Sequence, residues 1–278
     1  MKIIYFLFCF TFIISGTNLV SNAASPIDSA KLKCTYEFLY LNDSIENTYS
    51  SSELYIVQIG KDHVKSYFYK TFYRDSMEST PAGINELTNM VNTFVKEPAN
   101  YGKYPPFLSR GDFPVHIYKD YKKEKIITTD WISSHRFTYE EKLVPQDWTI
   151  IGDTMTILGY SCQKAQCSFR GREWEAWFAA DIPVSEGPWK FSGLPGLILM
   201  LKDTQSHYSF ELKGLQQVNE PIFMDISKKA TKIDRISFLK LLMGAKGNEI
   251  VAMDLAKVGI TPNTSTGKKY DYIELDYK

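Results

Sequence analysis

Two arginines beside a tryptophan, in Arg170-Gly171-Arg172-Glu173-Trp174, are the residues of this chain best suited to hold an anion. Guanidinium groups grip a carboxylate or phosphate through paired N–H donors, and an indole face stacks against what they hold. On an extended chain Arg170, Arg172, Trp174, Ala176 and Phe178 share one face, and Glu173, Glu175, Trp177 and Asp181 share the other. Arg170, Arg172 and Asp181 are therefore the first candidates for a polar site. The competing reading is that the arginines meet acids on a neighbouring strand. Farther on, Trp189 and Phe191 alternate with Lys190 in Gly187-Pro188-Trp189-Lys190-Phe191. That spacing predicts a loop that presents two aromatic rings to a ligand or partner.

Catalytic chemistry is harder to assemble. The histidines, at 63, 116, 135 and 207, stand singly, and HExxH, GxSxG, P-loop, GxGxxG and CxxC motifs are absent. His135 follows Ser133-Ser134, but adjacent residues of a strand point apart. A triad drawn from distant residues needs no such local signal. No catalytic residue, metal or cofactor is expected, and a binding role is preferred to a secreted hydrolase acting on peptide or cell-surface polymer.

The elements that would position these residues are mostly strands. Runs rich in β-branched and aromatic residues cover 34–41, 53–59, 64–73, 115–119, 125–129, 136–140, 148–151, 156–169, 173–179, 197–202 and 207–218. Turn clusters such as Gly60-Lys61-Asp62 and Arg110-Gly111-Asp112 separate them at hairpin distances. Amphipathic spacing predicts helices over 86–96 and 234–246, a loop from Gly259 to Gly267 and a last short strand over 270–275. The expected fold is mainly β (α+β), a large curved antiparallel sheet with one or two packed helices.

Gly193-Leu194-Pro195-Gly196 predicts a type II turn, with Pro presetting φ and Gly196 supplying positive φ, before a buried strand. The string Gly193-Leu194-Pro195-Gly196-Leu197-Ile198 spells GLPGLI. With Cys162-Gln163-Lys164-Ala165, Phe169-Arg170-Gly171-Arg172, Ala176-Trp177-Phe178 and Ile182-Pro183, it resembles the GLPGLI family of exported proteins, typical of Bacteroidota. The resemblance implies an envelope-associated protein whose biochemical role is unassigned, with no family catalytic residue to carry over. In architecture alone, the expected sheet resembles the half-barrel of LolA-like lipoprotein carriers, which curls around helices and an apolar cavity.

The N-terminus fits export. Lys2, the apolar run Ile3–Ile14 and the small residues of Ser21-Asn22-Ala23 predict a signal peptide over 1–23 and one β-rich domain over 24–278. No membrane span is expected after cleavage. In an oxidising compartment Cys34, Cys162 and Cys167 become disulfide candidates. Cys162 and Cys167 fall on opposite faces of an unbroken strand, so Cys34 is expected to bridge to one of them. With 32 basic and 32 acidic residues, charge makes no case for nucleic acid. The expected partner is an apolar ligand or an outer-membrane protein, in the periplasm, the envelope or outside the cell.

Overall fold

The computed structural model describes residues 25–43, 48–103, 105–132, 135–224, 230–247 and 272–277. The expected signal peptide and the 259–267 loop lie outside them. Among the described residues twelve strands form one curved, open sheet. In chain order they are β1 (Asp28–Asp43), β2 (Thr48–Ile59), β3 (His63–Phe68), β4 (His116–Asp120), β5 (Lys125–Ile132) and β6 (His135–Lys142). There follow β7 (Thr149–Ile157), β8 (Tyr160–Phe169), β9 (Arg172–Ala179), β10 (Leu197–Asp203), β11 (Tyr208–Ile222) and β12 (Thr231–Lys232). Across the sheet the order is β12-β6-β5-β4-β3-β2-β1-β11-β10-β9-β8-β7. Every described pairing is antiparallel except that of the two-residue β12 with β6.

Residues directly opposite in a ladder share a face, so the register identifies the side that meets the core. One row runs Cys34, Val57, Ser66, Ile117, Thr128, Tyr139. The next runs Leu32, Ile59, Val64, Lys119, Ile126, Glu141. A third runs Phe38, Phe210, Leu201, Ala176, Ala165. Phe38 sits at the centre of the aromatic packing, with ring contacts to Tyr40, Phe68, Phe113, Tyr208 and Phe210. Register shifts in the β1–β11, β1–β2, β9–β10 and β7–β8 pairs mark bulges, which strengthen twist and curl a long sheet.

Two expected strands end early. The 64–73 run pairs only as far as Phe68, and Tyr69–Glu78 is helix α1, stabilised by the i,i+4 pair Arg74–Glu78 at 2.6 Å. Its aromatic residues read as strand because strand propensity depends on neighbours, and β2 offers Phe68 the last partner. The 156–169 run is broken by Leu158 and Gly159, both at positive φ, which turn β7 back into β8. Helix α2 spans Pro81–Lys96, five residues earlier than the amphipathic spacing indicates, because Thr80 caps it through Gly83 N–H at 3.0 Å and Pro81 fits its first turn. Helix α3 covers Arg235–Gly247 and packs Phe238 against Phe137 and Tyr139 on the core face of β6. Residues 272–275 form no strand; Leu275 N–H donates to Arg170 C=O at 2.7 Å.

The expected disulfide is absent: Cys34, Cys162 and Cys167 are free and buried. Cys34 lies on β1 and the others on β8, with β11, β10 and β9 between them. Four strand spacings of about 4.8 Å place the two strands roughly 19 Å apart along the sheet, far beyond disulfide reach. The β8–β9 register runs unbroken from Gln163 to Phe169, which leaves Cys162 and Cys167 on opposite faces. Burial, and to a smaller degree Glu186, pushes the Cys34 thiol up to about 12. Burial does the same for Cys167, also to about 12, so neither is a ready thiolate.

Candidate functional site

The segment from Asp181 to Gly196 does not loop outward. Trp189 and Phe191, expected as displayed rings, are 1% and 0% exposed, and Lys190 between them is 0% exposed. The segment folds onto the core face as a small antiparallel turn, bridged at Glu186 and Ser192 and closed by Phe191 N–H to Pro188 C=O at 3.2 Å. Phe191 lies among Trp148, Phe169 and Trp174, with ring centroids 5.9, 5.0 and 4.8 Å away.

Buried backbone polar groups need partners, and here side chains from elsewhere supply them. Gln146 accepts from Ser192 N–H at 2.8 Å and donates to Lys190 C=O at 3.3 Å. Trp148 Nε1 donates to Ser192 C=O at 2.8 Å, and Lys119 Nζ to Phe191 C=O at 2.7 Å. Lys119 also pairs with Glu186 at 2.8 Å, and Tyr121 O–H donates to the same carboxylate.

The expected type II turn does not form around Gly196, whose φ lies outside the positive range. Gly196 is needed for room instead: a Cβ there would stand 2.2 Å from Ala179 O. The positive φ belongs to Gly193, at 97°, and to Trp189, at 57°, a left-handed conformation that a large side chain seldom adopts. Trp189 is held in it by burial and by Nε1–H donated to Glu274 Oε1 at 3.1 Å.

Glu274 belongs to a balanced charge network beneath this turn. Lys190 Nζ bonds Glu141 and, at 2.7 Å, Glu274. Arg235 at the start of α3 reaches Glu274 at 2.7 Å, Glu141 at 3.3 Å and Asp276 at 2.5 Å. Arg170 pairs with Glu141 and, at 3.1 Å, with Asp276. Burial would raise the Glu274 carboxyl, but Lys190, Arg235 and Arg170 outweigh it and hold the group below its usual range. Burial likewise opposes the charge on Lys190, and the carboxylates of Glu274 and Glu141 hold its ammonium above the ordinary lysine range. Buried at Lys190, Glu141 and Glu274 and partly exposed at Arg170 and Asp276, the network joins β6, the inner turn, α3 and the C-terminal residues.

The anion clamp expected from Arg170, Arg172 and Asp181 is dispersed. Arg170 and Gly171, with φ of 53° and 78°, form the hairpin turn between β8 and β9, so Arg170 leaves the face shared by Arg172, Trp174, Ala176 and Phe178. Arg172 is buried, bonds Asp203 of β10 at 3.0 Å and donates to Tyr272 C=O at 2.8 Å. The neighbouring-strand reading thus describes it. Asp181 is exposed in the turn after β9, and Trp174 is a core residue whose Nε1 donates to Phe169 C=O at 3.1 Å. Leu194, Leu197 and Ile198 are core residues, and Pro195 is exposed at the rim.

Alternation missed Lys119, Glu141, Glu186, Arg235 and Glu274. A signal existed for the first, since Val115, Ile117 and Lys119 have the same parity and two of them are apolar.

His116 pairs with α1, Nε2 to Asp75 Oδ2 at 3.0 Å, with Arg110 Nε on the other oxygen at 2.9 Å. Its Nδ1 is buried without a partner, so no hydroxyl or thiol is poised there. Among the described residues no cluster of three His, Cys, Asp or Glu side chains could hold a metal.

What the interior hides, the helical arm displays. α2 packs chiefly on α1, and Tyr69, Tyr73, Ile84, Val95 and Tyr101 are exposed there, Tyr101 by 91%. An open cavity of about 390 Å³ lies on the arm, lined by Arg74 and Glu78 of α1, Ile84, Leu87 and Val91 of α2, and Leu108.

The family described as "Protein of unknown function (Porph_ging)" matches residues 169–200, the stretch from the Arg170 turn through the inner turn to β10. No curated protein matches the chain. The solved structure titled "Structure of PNGF-II in P21 space group" is similar over 79% of this chain at 13% identity, with a TM-score of 0.51. A second PNGF-II structure, in a C2 space group, is 15% identical over 78% of this chain, with a TM-score of 0.49. The similar region takes up 34% of the first of those chains and 33% of the second, so this fold spans about a third of PNGF-II.

Proposed function

We propose that this chain is an exported accessory protein of the GLPGLI type, without catalytic activity, which docks an outer-membrane protein partner on its α1–α2 arm. The observation that carries this reading is the filled interior. The core face, where a carrier would hold an apolar ligand, is covered by Trp189, Phe191, Phe238 and Tyr272 of the chain itself. Apolar surface gathers instead on the arm, and exposed apolar patches mark interaction sites. The family match over 169–200, which contains the GLPGLI string, supports the family assignment. That the fold takes up about a third of the longer PNGF-II chain supports its use as a module beside other parts. Signal cleavage after Ala23 and a single domain over 24–278 belong to the same proposal.

The test is photo-crosslinking in the native envelope, with the crosslinker placed at Ile84, Val95 or Tyr101 and, as controls, at Glu173 or Lys202 on the sheet. Discrete protein adducts from arm positions and none from controls are expected. Adducts from neither set, or a small molecule released from the purified chain on denaturation, would overturn the reading.

A further inference from the structure

We infer that Arg170, Arg172, Trp189, Lys190 and Arg235 form a receptor site for a short acidic peptide. Residues 272–277 fill it as a ligand carried on the same chain, and a free peptide of that sequence exchanges with them. No residue of the arm takes part. The segment reads Tyr-Ile-Glu-Leu-Asp-Tyr and joins no ladder of the sheet. Arg172 Nη2 donates to Tyr272 C=O at 2.8 Å, and Leu275 N–H donates to Arg170 C=O at 2.7 Å. Glu274 lies between Lys190 and Arg235, both at 2.7 Å, and accepts from Trp189 Nε1 at 3.1 Å. Asp276 takes Arg235 at 2.5 Å and Arg170 at 3.1 Å. Gly171 makes room, since a Cβ there would stand 3.0 Å from Leu275 Cβ. Arg170 thus does hold an anion, and the anion is a carboxylate of the chain itself.

Charge decides what fits. Outside the segment, Asp203 pairs with Arg172, and Glu141 faces Arg170, Lys190 and Arg235. One carboxylate against three cations leaves two charges unbalanced, and Glu274 and Asp276 bring those two. Burial would raise the Asp276 carboxyl, but Arg235 and Arg170 outweigh it, so like Glu274 it sits in the site ionised. Tyr272 lies against Phe113, with ring centroids 6.2 Å apart, which asks for an aromatic residue two places before the first acid. A segment held by side chains instead of a ladder opens locally at lower cost than the sheet beneath it. Arg170 and Asp276 are partly exposed, so a free peptide meets the site from that end.

Two measurements on the full chain test this, with an acetylated synthetic peptide of residues 271–278 as the probe. In the wild type, a ligand on the same chain competes at an effective concentration on the order of 1 mM, so the peptide is added to that level. Hydrogen exchange at the Leu275 amide should then speed up roughly tenfold or more, while the amides of β1 and β11 keep their rates and a scrambled peptide has no effect. The double variant Glu274→Gln, Asp276→Asn weakens the resident segment without changing its shape. It should bind the peptide one to one, and roughly tenfold or more weakly when the peptide carries the same two amides, the scale of a lost charge-assisted hydrogen bond. A Leu275 amide that exchanges only together with the sheet, whatever peptide is added, would overturn the inference and show the segment to be plain core. Equal affinity for the two peptides, or no binding to a folded double variant, would overturn it as well. Should the double variant fail to fold, the wild-type exchange rates decide alone.

Discussion

Lys190 shows how much depends on one side chain in this fold. It is fully buried between Trp189 and Phe191, and its ammonium is neutralised by Glu141 from β6 and Glu274 from the C-terminal residues. Desolvation makes such a pair weak evidence of net stabilisation, yet removing one partner strands the other charges. Lys190→Met keeps the bulk and deletes the charge, leaving Glu141 and Glu274 to Arg170 and Arg235 alone. The expected loss is about 3–5 kcal/mol in urea unfolding, the range for breaking a buried ion pair. A loss under about 1 kcal/mol would mean the two arginines suffice. Trp189 and Phe191 read as displayed rings because alternation gives which residues share a side, not whether that side meets water. Lys190 gave no clue either, because the acids that let it be buried come from β6 and the C-terminal residues, far along the chain.

At the scale of elements, two junctions can be tested. The first is the close approach of Gly196 to Ala179, where β10 leaves the inner turn. Gly196→Ala puts a methyl 2.2 Å from a backbone oxygen, whereas Gly152→Ala has nothing within 4 Å to meet. The first should cost about 2–4 kcal/mol and the second stay within about 0.5 kcal/mol; equal unfolding midpoints would refute the packing account. The second junction is α1 on the sheet, pinned by Asp75 between His116 of β4 and Arg110. Burial holds the His116 imidazole below its ordinary value of 6.5; Asp75 opposes the shift, and Lys65 of β3 and Arg136 of β6 reinforce it. The folded chain therefore binds this proton less readily than the unfolded one. Its contribution is complete above pH 6.5 and drains away as pH falls through the folded value. Stability should decline on acidification below pH 6.5, by up to about 1.4 kcal/mol per pH unit, and that part of the slope should vanish in His116→Gln. A wild-type profile flat from neutrality to pH 5, about the foot of the histidine range, would refute it.

At the scale of the whole molecule, a large antiparallel sheet was legible because β-branched and aromatic runs recur at hairpin spacing between turn residues, as from Lys125 to Glu140. α1 was not, since Tyr69-Lys70-Thr71-Phe72-Tyr73 has strand composition and only the end of β2 pairing decides otherwise. The charge network was invisible for a different reason: Glu141, Lys190, Arg235 and Glu274 come from four distant parts of the chain, and no local pattern joins them. Long-range closure of this kind makes the last residues part of the core. Tyr272 and Ile273 are 3% and 1% exposed, Tyr272 C=O is held by Arg172, and Glu274 and Asp276 join three cations. Removing residues 272–278 would uncover Phe113 and Trp189 and leave Lys190 with Glu141 as its remaining acid. Burial of two large apolar side chains is worth about 1.5–3 kcal/mol each, so the truncated chain should lose about 3–6 kcal/mol in urea unfolding. The Trp189 indole N–H, no longer held by Glu274, should also exchange with solvent, read by NMR hydrogen exchange. A truncated chain with an unchanged midpoint and a protected Trp189 would show that the inner turn is held by Gln146, Trp148 and Lys119 alone, with the C-terminal residues merely resting on it.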